Sequence, residues 1–205
     1  MEKDNKQHNL TQIYTHPIYV EEPSGEWMND KSKLYTELPI DSVEKLFTGI
    51  KDINSNRTDH AFMDIGSGQG KILMHWLTMS ACKNATGIEI NQKMCRTSKD
   101  LYKKMKGLDK KKFKIVNKDV MKYKNFEGIV FINDLFFTGK ETLHVWNNLQ
   151  PDSILMTYKI LKRETAIMEI EVPINLKSVK APQIVSFYRK PFLKNGLISR
   201  LGLTI

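Results

Sequence analysis

Residues 61–70 read Ala61-Phe62-Met63-Asp64-Ile65-Gly66-Ser67-Gly68-Gln69-Gly70, and their reading decides the fold. Ala61–Ile65 is a short apolar run of the kind that forms a buried strand, and it is followed at once by three glycines on alternate positions. Gly66 and Gly68 allow a tight turn with its backbone close to a ligand, while Gly70 allows a helix to pack closely against the strand. Lys71–Cys82 carries helical periodicity, so the unit is strand, glycine turn, helix. Ala85–Ile90 is the next strand, and Glu89 near its end lies roughly 20 residues beyond the turn, where an acid can accept hydrogen bonds from both hydroxyls of a ribose. Such charge-assisted bonds contribute roughly 1.5–3 kcal/mol each.

Outward from this unit the alternation continues. Gln92–Lys106 reads as a helix, Phe113–Asn117 and Gly128–Asn133 as strands, Lys140–Leu149 as a helix and Ile154–Lys159 as a fifth strand. Strands and helices alternating at this spacing predict βαβ units and a parallel sheet. The last third differs: Ala166–Val172 and Gln183–Tyr188 are strand-like, with Pro173 and Pro182 between them and no helix pattern. Without a crossover helix they must pair antiparallel, as a hairpin at one edge of the sheet. On the other side of the turn, Val43, Leu46, Phe47 and Ile50 share one helical face, with Asp41 as the expected cap and Glu44 completing a capping-box-like pattern. Residues Met1 to Ser32 hold Pro17, Pro23 and Gly25 without clean periodicity and read as an irregular arm. The expected organisation is an arm over residues 1–33 and one α/β domain over 34–205.

Composition limits the partners. The chain has 205 residues, the span of one domain, and a net charge of +9, which favours an acidic partner such as nucleic acid, a nucleosome or an anionic surface. No apolar run approaches the ~20 residues needed to cross a bilayer, and the first ten residues are too polar for a secretory signal, so an unexported, non-membrane protein is expected. Cys82 and Cys95 have neither metal-ligand spacing nor a disulfide framework, which suits a reducing, intracellular compartment. No metal site is expected, and His60, His75 and His144 are assigned no catalytic role.

The form D-x-G-x-G-x-G, which starts from Asp64 rather than from a glycine, resembles the first motif of class I S-adenosylmethionine-dependent methyltransferases. The resemblance implies a Rossmann-like α/β fold with a mostly parallel sheet and a C-terminal antiparallel hairpin, and S-adenosylmethionine as cofactor. It implies Asp64, Gly66, Gly68 and Gly70 at the methionine end and Glu89 at the ribose. Asp119 would lie by the adenine amino group, with the Val120 amide beside it. Apart from the resemblance, an acid such as Asp119 placed after a strand also serves as a helix cap.

A narrower resemblance is carried by four pieces in order: Tyr35-Thr36-Glu37-Leu38; the 64–70 motif with Cys82-Lys83 and Gly87-Ile88-Glu89; Phe131-Ile132-Asn133-Asp134-Leu135-Phe136-Phe137; and Val185-Ser186-Phe187-Tyr188. Together these resemble the disruptor-of-telomeric-silencing histone-lysine methyltransferases. The resemblance implies transfer of a methyl group to a lysine amine, on a histone in a nucleosome, in the nucleus. It implies Tyr35 and Glu37 in a loop over the cofactor, Asn133 beside the reacting methyl and against the cofactor, and Phe137 and Phe187 lining the lysine channel. The family has a second Asn where this chain has Asp134, an aromatic at Leu135 and Gly-Pro where Thr138-Gly139 stands. Read alone, aromatics beside strands more often pack inside.

Two further readings stand beside this one. Adenine-amino methyltransferases place Asn or Asp, two prolines and an aromatic at the end of the fourth strand, and Asn133-Asp134-Leu135-Phe136 has the ends without the prolines. A silent chromatin-binding module is the other. The Lys103–Lys124 stretch could neutralise phosphates of DNA, or be a solvated helix face.

Overall fold

The computed structural model describes residues 2–16, 38–162, 164–173 and 182–191. Among these, seven strands form one sheet: β1 (Phe62–Ile65), β2 (Ala85–Glu89), β3 (Phe113–Asn117), β4 (Ile129–Ile132), β5 (Ile154–Thr157), β6 (Met168–Val172) and β7 (Gln183–Arg189). Their spatial order is β3-β2-β1-β4-β5-β7-β6. The first five strands run parallel, and β7 lies antiparallel between β5 and β6. The order reverses beside β1, at the crevice where open α/β sheets bind ligands. This is the Rossmann-like arrangement expected from the sequence, with the antiparallel hairpin at one edge.

The parallel strands β1, β2, β4 and β5 are buried on both faces, as βαβ crossovers require, while β3 at the sheet edge buries only Ile115. Phe62, Phe131, Met156 and Phe187 belong to one core cluster, shared with α2 (Ile40–Ile53) and α3 (Lys71–Met79). There Trp76 stacks on Phe62 with ring centroids 4.2 Å apart and meets the edge of Phe47. Met63, Val130, Ile132, Leu155 and Tyr188 belong to the opposite cluster, with Val145 and Trp146 of α5 (Gly139–Asn147). Fully burying each large side chain stabilises by about 1.5–3 kcal/mol. The helix α4 (Gln92–Lys103) covers β2 and β3 with Met94, Cys95, Leu101 and Tyr102, and its first amides are capped by Asn91.

Two expectations are corrected. Residues 2–15 are not irregular: Glu2–Thr15 is a helix, α1, docked on α3. Its polar sequence hides the reason, because Asn9 does what a backbone group would do. Its amide donates to the Lys106 carbonyl (2.9 Å) and accepts from the Lys106 N–H (2.8 Å). Ile13 is buried, and Tyr14 Oη lies 2.6 Å from His75 Nδ1. The rest of the proposed arm, residues 17–33, lies outside the described residues. In α2 the cap is Pro39 rather than Asp41. The Pro39 carbonyl accepts from Ser42 and Val43, which leaves Asp41 inside the first turn, where its charge suits the positive end of the helix. No helix among the described residues is long and apolar enough to cross a membrane.

Candidate active site

At the carboxyl end of β1, Asp64 is 2% exposed, and the chain then turns through three glycines with φ of 74°, 51° and 72° at Gly66, Gly68 and Gly70. Gly70 needs its lack of a side chain twice. Its left-handed backbone disfavours other residues, and a Cβ there would meet Ser98 Oγ at 2.2 Å. The turn is pinned to β2: Gly66 and Ser67 donate to the Ile88 carbonyl at 2.8 and 3.2 Å.

Glu89 ties the turn to the next helix. Its Oε2 accepts from Gly68 N and its Oε1 from Asn91 N, both at 2.7 Å. Each carboxylate oxygen retains acceptor capacity, so a ribose hydroxyl can be added to either. Asn117 steadies this strand end by donating to the carbonyls of Glu89 (2.9 Å) and Ile90 (2.8 Å). Burial raises the Glu89 carboxyl above its ordinary value, against the lowering effect of these backbone donors. For Asp64, burial first and the Glu89 charge second push the pKa up to about 8. A cationic group brought to Asp64 would relieve both effects, and the methionine ammonium of S-adenosylmethionine is such a group.

Beyond β3, Asp119 is half-buried and caps the short turn Val120–Lys122 by accepting from Met121 N at 2.9 Å. Val120 is buried in the second core cluster. Ile90 and Met121, which no motif in the sequence marks, are 52% and 43% exposed at the ends of these loops and offer apolar surface suited to a purine. Two buried acids, Asp64 and Glu89, with apolar surface beyond them suit the cationic, ribose and purine groups of S-adenosylmethionine.

Asn133 is half-buried directly after β4. The loop that follows is braced by Asp134, which is fully buried. Asp134 accepts from Thr142 Oγ1 (2.9 Å), Thr157 Oγ1 (2.5 Å) and Tyr158 N (2.9 Å). The Asp134 carboxylate is what joins the ends of β4, β5 and α5. A capping box between Thr138 and Glu141 closes the loop. Phe137 is half-buried, and its ring lies 3.0 Å from where a Cβ on Gly66 would stand, so the fourth-strand loop reaches the glycine turn. Phe187 is not brought there: its side chain is fully buried in the first core cluster and its ring reaches Gly49 of α2. That is the core position an aromatic beside a strand most often takes. Tyr35 and Glu37 lie outside the described residues.

The lysine-rich stretch divides. Lys110 Nζ donates to the carbonyls of Tyr102 and Met105, both at 2.9 Å, which satisfies carbonyls around the end of α4, and Lys112 donates to Cys82 O at 3.1 Å. Lys104, Lys106, Lys111, Lys114, Lys118 and Lys122 are exposed.

A family model described as histone methylation protein DOT1 matches residues 21–189 of this chain. Among solved structures, an RNA methyltransferase from Salinibacter ruber in complex with S-adenosyl-L-homocysteine superposes with a TM-score of 0.59 at 17% identity, over 76% of this chain and 94% of that one. A candidate RNA methyltransferase from Pyrococcus horikoshii gives 0.63 at 12% identity, over 91% and 98%. A candidate methyltransferase from Escherichia coli gives 0.55 at 17%, over 75% and 89%. At these identities the solved structures share the fold.

Proposed function

The chain belongs to the DOT1 family of histone methylation proteins and is an S-adenosylmethionine-dependent methyltransferase, and from that premise we propose that it methylates a lysine amine, on a histone within the nucleosome. The observation that carries the proposal is the contact of Phe137 with Gly66. It joins the loop that begins at Asn133, the piece that separates this family from other methyltransferases, to the turn that serves the cofactor. When bound, S-adenosylmethionine supplies an electrophilic methyl group. The chain's own part is to bind, orient and exclude water. Asp64 holds the cationic end, Glu89 the ribose, and Asp119 with Val120 the adenine edge. Apolar side chains around Asn133 favour the neutral, nucleophilic form of the lysine, and alignment with the methyl supplies most of the acceleration.

The exposed lysines from Lys103 to Lys124 are suited to the phosphates of nucleosomal DNA, through a salt-dependent contact without base readout. A chromatin substrate and a nuclear location go with this reading.

The test is incubation with radiolabelled S-adenosylmethionine and, in parallel, nucleosomes, free histones, DNA and RNA, with Glu89→Ala as the blank. Label on histone lysine, strongest on nucleosomes, is the expected result. Label on nucleic acid alone overturns it in favour of an adenine-amino methyltransferase.

A further inference from the structure

β2 ends at Glu89 and α4 starts at Gln92, so the chain turns from strand to helix within Ile90 and the capping residue Asn91. The Glu89 carbonyl still belongs to the sheet and accepts from Lys118 N at 3.0 Å. The Ile90 carbonyl stands past the last rung of the sheet and ahead of the helix. Asn117, in register with Glu89 at the end of β3, takes both: its Nδ2 donates to Glu89 O at 2.9 Å and to Ile90 O at 2.8 Å. Carbonyls only accept, so the nitrogen of this amide faces them and its two hydrogens serve one carbonyl each. A carbonyl lies in the plane of its own peptide group, so one side chain holds the planes on both sides of the Ile90 Cα. It thereby fixes the φ and ψ that decide where the Ile90 side chain points. That side chain is 52% exposed at the carboxyl edge. Met121, the other exposed apolar residue there, is fixed by the same loop, since its N–H donates to Asp119 Oδ1 at 2.9 Å.

We propose that Asn117 is a positioning residue of the cofactor site, which aims Ile90 at the purine of S-adenosylmethionine. It acts through Ile90 and not on the reacting atoms, and the inference holds whatever the methyl acceptor is. Glu89 can grip the ribose hydroxyls, yet a base joined to that ribose by a single bond still rotates. An apolar side chain held at a set angle beside the ribose acid removes that freedom, and because it is ordered beforehand the ligand does not have to order it on arrival. Glu89 itself keeps its place without Asn117: Lys118 N holds its carbonyl, and Gly68 N and Asn91 N hold its carboxylate. Loss of the Asn117 amide is therefore a selective loss. The base loses its apolar rest while the ribose acid and the methionine end keep their geometry.

Asn117→Ala removes both donors at a position that is exposed, so no core has to repack. Two ligands are titrated by calorimetry below each variant's thermal midpoint: S-adenosylhomocysteine, and 5′-methylthioadenosine, which keeps the nucleoside and lacks the amino-acid end. Asn117→Ala is expected to weaken both at least fivefold. Ile90→Ala is expected to do the same, and the double variant to bind no more than twofold more weakly than Ile90→Ala alone, because no long side chain is left to aim. A general loosening of the strand end would instead multiply the two penalties. Three results overturn the role of Asn117: unchanged affinity in Asn117→Ala, penalties that multiply in the double variant, or a penalty seen with S-adenosylhomocysteine and absent with 5′-methylthioadenosine.

Discussion

The ring of Phe137 occupies the space above Gly66, 3.0 Å from the point a Cβ would fill. Two segments more than seventy residues apart in the chain therefore share one contact, and the cofactor turn and the fourth-strand loop cannot shift independently.

Gly66→Ala is expected to weaken S-adenosylmethionine binding at least tenfold. The added methyl group strains a backbone with φ of 74° by about 1–2 kcal/mol and displaces the Phe137 ring. Calorimetry on Gly66→Ala and on Gly66→Ala with Phe137→Ala separates the two effects. If strain alone matters, the second change restores nothing.

Binding of S-adenosylmethionine is expected to release a proton near neutral pH. Asp64 in the free protein titrates at about 8, and an ammonium beside it lowers that value, so affinity rises with pH up to about 8. Above that the ligand's own α-amino group, with an ordinary value of about 8, loses its charge and affinity falls. Calorimetry in buffers of different ionisation enthalpy counts the proton, and Asp64→Asn removes it.

Acid is expected to weaken the fold through His75. Burial lowers its pKa to about 4 from an ordinary 6.5, so the folded state needs the neutral ring. Stability from this residue is complete above about pH 6.5 and is lost as pH falls towards 4, amounting to about 3 kcal/mol. Denaturant midpoints at pH 7 and pH 4.5 should differ less for His75→Phe than for wild type.

Replacing Asp134 separates size from charge. Asp134→Ala leaves the buried Thr157 hydroxyl and the Tyr158 N–H without an acceptor, and the Thr142 hydroxyl with only the Thr138 carbonyl at 3.5 Å, and is expected to cost about 3–5 kcal/mol. Asp134→Asn keeps an acceptor for Tyr158 N, and the threonine hydroxyls can turn to accept from its amide, so about 1 kcal/mol is expected. Equal thermal midpoints for the two variants would remove the brace from the account.

The sheet was legible because its signals are local. Apolar runs such as Ile154–Thr157 and glycines after strands write themselves into a few consecutive residues. The paired hairpin followed from the lack of a crossover pattern between Val172 and Gln183. What stayed hidden is held by distant polar pairs. Asn9 with Lys106 makes α1 a docked helix, and Asp134 with Thr142 and Thr157 makes the fourth-strand loop rigid. Neither has a periodicity to read. The glycine turn was legible because Gly66, Gly68 and Gly70 all stand at positive φ, and Glu89 meets it by accepting from the Gly68 amide. Phe187 was ambiguous because an aromatic at a strand end has the same sequence whether it lines a channel or fills a core.

The order β5-β7-β6 puts β7, the last made of the described strands, in the interior of the sheet. While the ribosome is still making residues before Gln183, β5 has a bare edge and β6 has no neighbour to join. Thr157, whose hydroxyl helps fix Asp134, then lies on that bare edge, opposite the place Ser186 will take. The nascent protein therefore passes through an interval in which the cofactor half can be complete while the acceptor half is open and prone to pairing with other chains. A stalled or C-terminally clipped product would bind its nucleoside and still be inert.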